Sequence, residues 1–347
     1  MANYSFDGII IPDSLDESVN YLGLELCIRI RLSSKELGDQ VYSTFFIFNS
    51  KSPQEIFKSQ STQKANTTAS VLFTEGTFLF DDNDLAKILI ENSSNFSILN
   101  KDNFRESFLE VIQIKKNPQF GNHTIANIWG AIRLAEVTGN RSLLESYFNS
   151  NDKIKHNQAD LYFKLLVNQN TYSNISPLAQ KTINAAGKNI LLIDDEVDKG
   201  WGGILKAIFV GANFESIPIS TNFINDAKGK LKEKNNGVSK WDLVLLDLRL
   251  EEEEDKGKNA FKSASEYTGA KLLKEIKSDN KGVQVIMFTA SNKAWNMLEL
   301  QTMGADGFFI KENPEFNKDS DFSLNNYAGF EKQIKSCFEE KLFKIHL

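Results

Sequence analysis

What the chain has little of narrows its reading first. Its 347 residues hold two cysteines, Cys27 and Cys337. So distant a pair gives neither a disulfide framework nor the clustered spacing of a structural zinc site. The three histidines, His123, His156 and His346, are scattered as well. No apolar run approaches the ~18 residues of a membrane span. The N-terminus lacks the basic segment and apolar core of a secretory signal. With a net charge of -6, the chain has no bulk field that would draw nucleic acid or an anionic membrane. These absences point to a cytoplasmic protein in a reducing setting, with neither a membrane nor a nucleic acid as partner.

What is present suggests two domains, at roughly 100–200 residues each. Residues 1–167 read as an α+β domain of unknown function, an output or partner-binding element. "ELCIRIRL" alternates like a half-buried strand, and "VYSTFFIF" and "ASVLFTEGTFLF" are also strand-like. "HTIANIWGAIRLAEVTG" predicts a helix with Gly139 as its C-cap, and "SLLESYF" and "ADLYFKLLV" predict two more. Residues 168–187 are polar and read as a linker.

From 188 to 347 apolar runs alternate with helical patterns. "NILLI", "SIPIS", "DLVLLDL", "VQVIMFT" and "GFFI" are the strand candidates. Strands apolar throughout, separated by amphipathic helices, predict a doubly wound five-stranded parallel sheet, flavodoxin-like in class, covered on both faces. Ligands of such sheets sit at the carboxyl ends of the strands. Those ends carry Asp194 and Asp195, then Asp247, then Thr289 and Ala290, then Lys311. Two adjacent carboxylates at a strand end repel each other and resist desolvation. A hard divalent cation such as Mg²⁺ would offset that cost.

The acidic pair, the central Asp, Thr-Ala and Lys, each at a strand end, resemble the receiver domain of two-component response regulators over residues 188–347. The resemblance implies that Asp247 accepts a phosphoryl group from a histidine kinase, a phosphotransfer protein or a small donor. It implies that Asp195, Asp247 and the backbone carbonyl of Arg249 hold Mg²⁺, with Asp194 assisting. Lys311, Thr289 and the Ala290 backbone would contact phosphoryl oxygens, and Phe308 would be the switch aromatic. By the same analogy the face around Phe308 would serve a homodimer. Such a chain would signal in a phosphorelay rather than act as an enzyme. Two other readings stand beside it: a pseudo-receiver adaptor that binds partners without phosphorylation, and an N-terminal enzyme gated by the receiver. Haloacid-dehalogenase-like phosphatases use similar groups, but there the nucleophile comes first and the acidic pair last, so the chain order rejects that class.

The pattern departs from receivers in three ways. An acidic insertion at 251–267 follows the central Asp and reads as a solvated loop. Glu312 and Asn313 follow Lys311 where Pro is common. The receiver-like half comes last. In the first half, Asn122, His123 and Arg133 lie in or beside a helix. With no second His or Cys nearby, His123 reads as part of a capped helix start.

Overall fold

A computed structural model describes residues 6, 8–15, 21–33, 37–48, 52, 54–56, 58, 68–80, 99–114, 120–140, 142–143, 153–169, 180–251, 254, 263–280, 282–290, 294–314 and 320–344. Most of the expected "SLLESYF" helix and much of the 251–267 insertion lie outside them, as do residues 170–179 of the expected linker. The chain divides into two units: Met1–Gln119 with Asp152–Ser173, and Phe120–Asn151 with Asn174–Leu347.

The N-terminal unit contains β1 (Gly8–Pro12), α1 (Leu22–Arg31), β2 (Thr44–Phe48), β3 (Thr77–Phe80), α2 (Lys101–Val111) and, later in the chain, α4 (Lys153–Gln169). β1, β2 and β3 form a parallel sheet in that order. This corrects the expected α+β pattern, because parallel neighbours need crossovers between strands. "ELCIRIRL" is helical, not extended. Its buried residues Leu24, Cys27, Ile28 and Arg31 follow the spacing i, i+3, i+4, i+7. Glu25 accepts from Arg29 at 2.7 Å, one turn on. The apparent alternation came from Arg29 and Arg31 falling between isoleucines. A Cβ on Gly23 would sit 1.6 Å from the Pro12 carbonyl oxygen, so only glycine permits this approach of helix to strand end.

The second unit begins with α3 (Asn122–Val137). It ends as a Schellman motif: Gly139 takes φ 69°, and the amides of Gly139 and Asn140 donate to Glu136 and Ala135. The unit continues with β4 (Asn189–Ile193), α5 (Trp201–Ile208), β5 (Asn213–Ser216), α6 (Phe223–Leu231), β6 (Leu243–Asp247), α7 (Thr268–Asp279), β7 (Gln284–Thr289), α8 (Ala294–Thr302), β8 (Gly307–Ile310) and α9 (Ser320–Lys344). Short two-residue strands at Ile183–Asn184 and Phe209–Val210 pair in parallel beside the main sheet.

The five main strands are all parallel, in the order β8-β7-β6-β4-β5. The expected second strand "SIPIS" forms earlier, at Asn213–Ser216, leaving Ile217 buried just past its end. Both faces of the sheet are covered, which is why β4, β6, β7 and β8 are mostly apolar, whereas the edge strand β5 carries Asn213, Glu215 and Ser216. On one face Leu191, Ile193, Val244, Leu246, Val285 and Met287 pack with Leu272, Leu273 and Ile276 of α7. On the other, Phe288 and Phe309 stack, and Trp201 and Phe330 meet them edge-on.

One boundary differs from the sequence reading. The residues expected in a single N-terminal domain of 1–167 are shared between the units. α3 packs against α5 and α9, and so belongs with the five-stranded sheet. A Cβ on Gly130 would lie 3.1 Å from the Glu312 nitrogen, so the small residue lets α3 sit down on the end of β8.

Candidate functional site

The strand order reverses between β4 and β6, and the crevice at such a point is where open α/β sheets bind ligands. β4 runs out into Asp194 and Asp195, and β6 ends on Asp247. The pairing sets Leu245 beside Leu192, and two residues further on each strand brings Asp247 and Asp194 together on one face. Lys311 follows β8 on the same edge.

Each of these groups is held. Asp194 is fully buried: its Oδ1 accepts from the Glu196 amide at 2.9 Å and its Oδ2 from Lys311 Nζ at 2.8 Å. Asp247 is 1% exposed; its Oδ1 accepts from the Leu248 amide at 2.9 Å, and its Oδ2 lies 3.2 Å from Lys311 Nζ. Burial raises the Asp247 carboxyl well above the usual carboxylate range, Lys311 opposes that rise, and Asp194 adds to it. Burial alone would lower the Lys311 ammonium, but Asp194 and Asp247 push it up.

A residue from the other end of the sequence enters this pocket. His123, in the first turn of α3, is 9% exposed, and its Nε2 faces Asp247 Oδ2 at 3.5 Å and Asp195 Oδ1 at 3.8 Å. Burial works against its charge, but the facing carboxylates of Asp195 and Asp247, with Glu196, outweigh burial and raise the imidazole to about 9. Further contacts seat this end of α3. Glu196 accepts from Thr124 Oγ1 at 2.5 Å and from Asn127 Nδ2 at 2.5 Å. Trp201 Nε1 donates to Asn127 Oδ1 at 3.2 Å. Asn127 Nδ2 also lies 3.2 Å from His123 Nε2. Along the helix, fully buried Arg133 donates to Ser323 Oγ at 3.1 Å, and Ser323 donates to Glu312 at 2.6 Å. Glu312, next to Lys311, is therefore fixed in a buried network.

Two buried oxygens of the pocket, Asp195 Oδ1 and Asp247 Oδ2, have no hydrogen-bond partner. Buried carboxylate oxygens in that condition suit a bound cation. His123, Asp195 and Asp247 can bring one ligand atom each within 4.8 Å of the others.

Thus Asp194, Asp195, Asp247 and Lys311 come together as the sequence reading expected. Asp194 differs in detail, because both its oxygens are engaged within the protein. Thr289 is buried at the end of β7, where its carbonyl accepts the Lys311 amide at 2.8 Å, and Ala290 follows half-buried. The Arg249 guanidinium lies over the Tyr267 ring at 5.6 Å. Phe308 is half-buried, and its amide donates to Gln333 at 2.6 Å. Sequence reasoning took His123 for part of a capped helix start and did not single out Glu196. His123 lies 72 residues before Asp195 in sequence, and neither residue carries a motif of its own. Within the acidic insertion Glu254 is buried, not solvated. Its carboxylate accepts the Thr268 amide and hydroxyl at 2.6 and 2.7 Å and so caps α7.

Residues 1–80 match the family model described as "Inactive Receiver domain". The match falls on the N-terminal unit, for which the sequence reading offered no family, and not on the half to which it assigned the receiver resemblance. No curated protein matches the chain. Among solved structures, it is similar to a CheY-like response regulator receiver domain protein from Methanospirillum hungatei, at 21% identity and TM-score 0.28, covering 43% of this chain and 98% of that one. It is also similar to a two-component response regulator from Clostridium difficile, at 20% identity and TM-score 0.29, covering 43% and 96%. A third is NtrX from Brucella abortus in complex with ADP, at 20% identity and TM-score 0.30, covering 46% of this chain and 28% of that one.

Proposed function

We propose that the protein is a response-regulator-like signalling protein in which the five-stranded unit acts as a receiver with Asp247 as phosphoacceptor. The observation that supports this most directly is the meeting of Asp194, Asp247 and Lys311 at the switch point of a parallel sheet, with Asp195 beside them. In this reading the Asp247 carboxylate attacks the donor phosphorus and the donor's leaving group departs. Lys311 then neutralises one phosphoryl oxygen, and Thr289 and the Ala290 amide hold others. Asp195 and Asp247 offer the orphaned oxygens for a divalent cation, Mg²⁺ in the simplest case, which supplies further charge neutralisation. A histidine kinase, a phosphotransfer protein or a small phosphodonor would supply the phosphoryl group. The match over residues 1–80 to an inactive receiver adds a second receiver-type element at the N-terminus.

One observation favours a second reading, an adaptor that works without phosphorylation. Asp247 is 1% exposed, and His123 on α3 faces its Oδ2 at 3.5 Å. Phosphorylation therefore requires the first turn of α3 to yield. The test is incubation with acetyl phosphate with and without Mg²⁺, read by intact mass, with Asp247→Asn as control. A Mg²⁺-dependent gain of one phosphoryl group, absent in the variant, supports the phosphoacceptor. No gain, together with no change in Trp fluorescence on adding beryllofluoride and Mg²⁺, supports the adaptor.

A further inference from the structure

The acidic pocket contains a group that an all-oxygen cation site does not need, the His123 imidazole. We propose that His123 Nε2, Asp195 Oδ1 and Asp247 Oδ2 form a three-ligand site selective for a divalent transition cation such as Zn²⁺ or Co²⁺ over Mg²⁺. The inference rests on the reading of this pocket as a cation site and names the class of ion it takes.

Distance is the first support. The Nε2–oxygen separations of 3.5 and 3.8 Å are too long for hydrogen bonds. Two ligands each ~2.1 Å from one tetrahedral ion lie ~3.4 Å apart, so the spacing leaves room for an ion between them. The second support is the cost of leaving the pocket without one. Asp247 is almost wholly buried; the oxygen it turns toward His123 has the Lys311 ammonium at 3.2 Å but makes no hydrogen bond, and Asp195 Oδ1 makes none either. A buried acceptor in that state is destabilising unless something fills it. Charge is the third. Asp194, Asp195 and Asp247 face two cationic groups, Lys311 and the His123 imidazole, and an ion that takes Nε2 as a ligand leaves three carboxylates against one ammonium, which favours a divalent ion.

Ligand chemistry decides the metal class. Mg²⁺ takes oxygen ligands and keeps its waters, whereas a mixed imidazole–carboxylate set suits Zn²⁺, Co²⁺ or Fe²⁺. The ligands are also oriented from behind. The Leu248 amide and Lys311 fix Asp247, and the Asn127–Glu196–Thr124 network fixes the turn of α3 that carries His123. Asp195, with a side chain 21% exposed, lies on the solvent side and leaves a route for the ion to enter. Ion binding would join the start of α3 to the carboxyl edge of the sheet.

The experiment uses the full chain, without an affinity tag and stripped of metal. Zn²⁺, Co²⁺ and Mg²⁺ are titrated by calorimetry, and Co²⁺ is also followed by its visible absorption, which reports imidazole ligation and low coordination number. The variants are His123→Ala and Asp195→Asn, with Trp fluorescence confirming that each is folded. One Co²⁺ or Zn²⁺ per chain is expected, bound at least ~100-fold more tightly than Mg²⁺. His123→Ala should weaken Co²⁺ at least ~10-fold and abolish its visible band, while changing Mg²⁺ affinity by less than ~3-fold. Asp195→Asn should weaken all three ions. Equal affinity for Mg²⁺ and Zn²⁺, or a Co²⁺ spectrum indifferent to His123, overturns this inference while leaving a Mg²⁺ site standing. If no ion binds, the cation reading of the pocket falls with it.

Discussion

Lys311 carries the charge balance of the pocket, and replacing it with methionine tests that balance directly. Its Nζ lies 2.8 Å from Asp194 and 3.2 Å from Asp247, and all three side chains are at most 1% exposed. Methionine keeps the length of the side chain and removes the cation that Asp194 and Asp247 share, so two buried carboxylates face each other without it. Breaking a buried pair in this way costs about 3–5 kcal/mol. For a unit of this size that is roughly 6–20 °C in melting temperature, at about 2–4 °C per kcal/mol.

The loss should also depend on pH. Burial already holds the Asp247 carboxyl above its unfolded value, and without Lys311 the group that opposes this rise is gone. Protonation then relieves the strain in acid, and the destabilisation grows as pH rises through the folded values. Lys311→Met should therefore be milder at pH 5 than at pH 8. Adding Asp247→Asn should restore at least half the loss, because one of the two facing charges is gone. The assay is a thermal melt followed by tryptophan fluorescence. Trp129, Trp201, Trp241 and Trp295 all lie in the second unit, so the signal reports that unit alone. A loss under about 1 kcal/mol, or one equal at both pH values, would refute the buried-charge account.

Two further outcomes follow from particular contacts. A Cβ on Gly269 would lie 2.0 Å from the Asp247 carbonyl oxygen and 2.8 Å from that of Leu248. Gly269→Ala should thus cost a net ~1–3 kcal/mol in urea unfolding, despite the better helix propensity of alanine. In the N-terminal unit, burial pushes the Cys27 thiol up to about 12. At pH 8 its alkylation in the native chain, mapped by peptide mass, should be roughly a thousandfold slower than after denaturation; comparable rates would contradict that burial.

The sequence by itself determined the second unit's sheet, because a strand buried on both faces must be apolar along its whole length. "NILLI", "DLVLLDL", "VQVIMFT" and "GFFI" have no other economical reading. It also determined where Asp194, Asp195, Asp247 and Lys311 fall, since a polar residue closing an apolar run marks a strand end. Local pattern was a weaker guide in the first half. There the helical spacing of Leu24, Cys27, Ile28 and Arg31 was hidden behind an alternation of isoleucine and arginine. Nor did local pattern reveal that Glu254 turns inward to cap α7, because one glutamate in an acidic run looks like its neighbours.

Only the tertiary structure decided the rest. α3 precedes the expected linker, yet it packs on the later sheet through Gly130 and the Arg133–Ser323–Glu312 network. Chain order carries no information about such a long-range contact. That docking brings the His123 imidazole to within 3.8 Å of the Asp195 and Asp247 carboxylates. A strand end is written in a few consecutive residues, whereas a ligand arriving from another element exists only once the chain has folded.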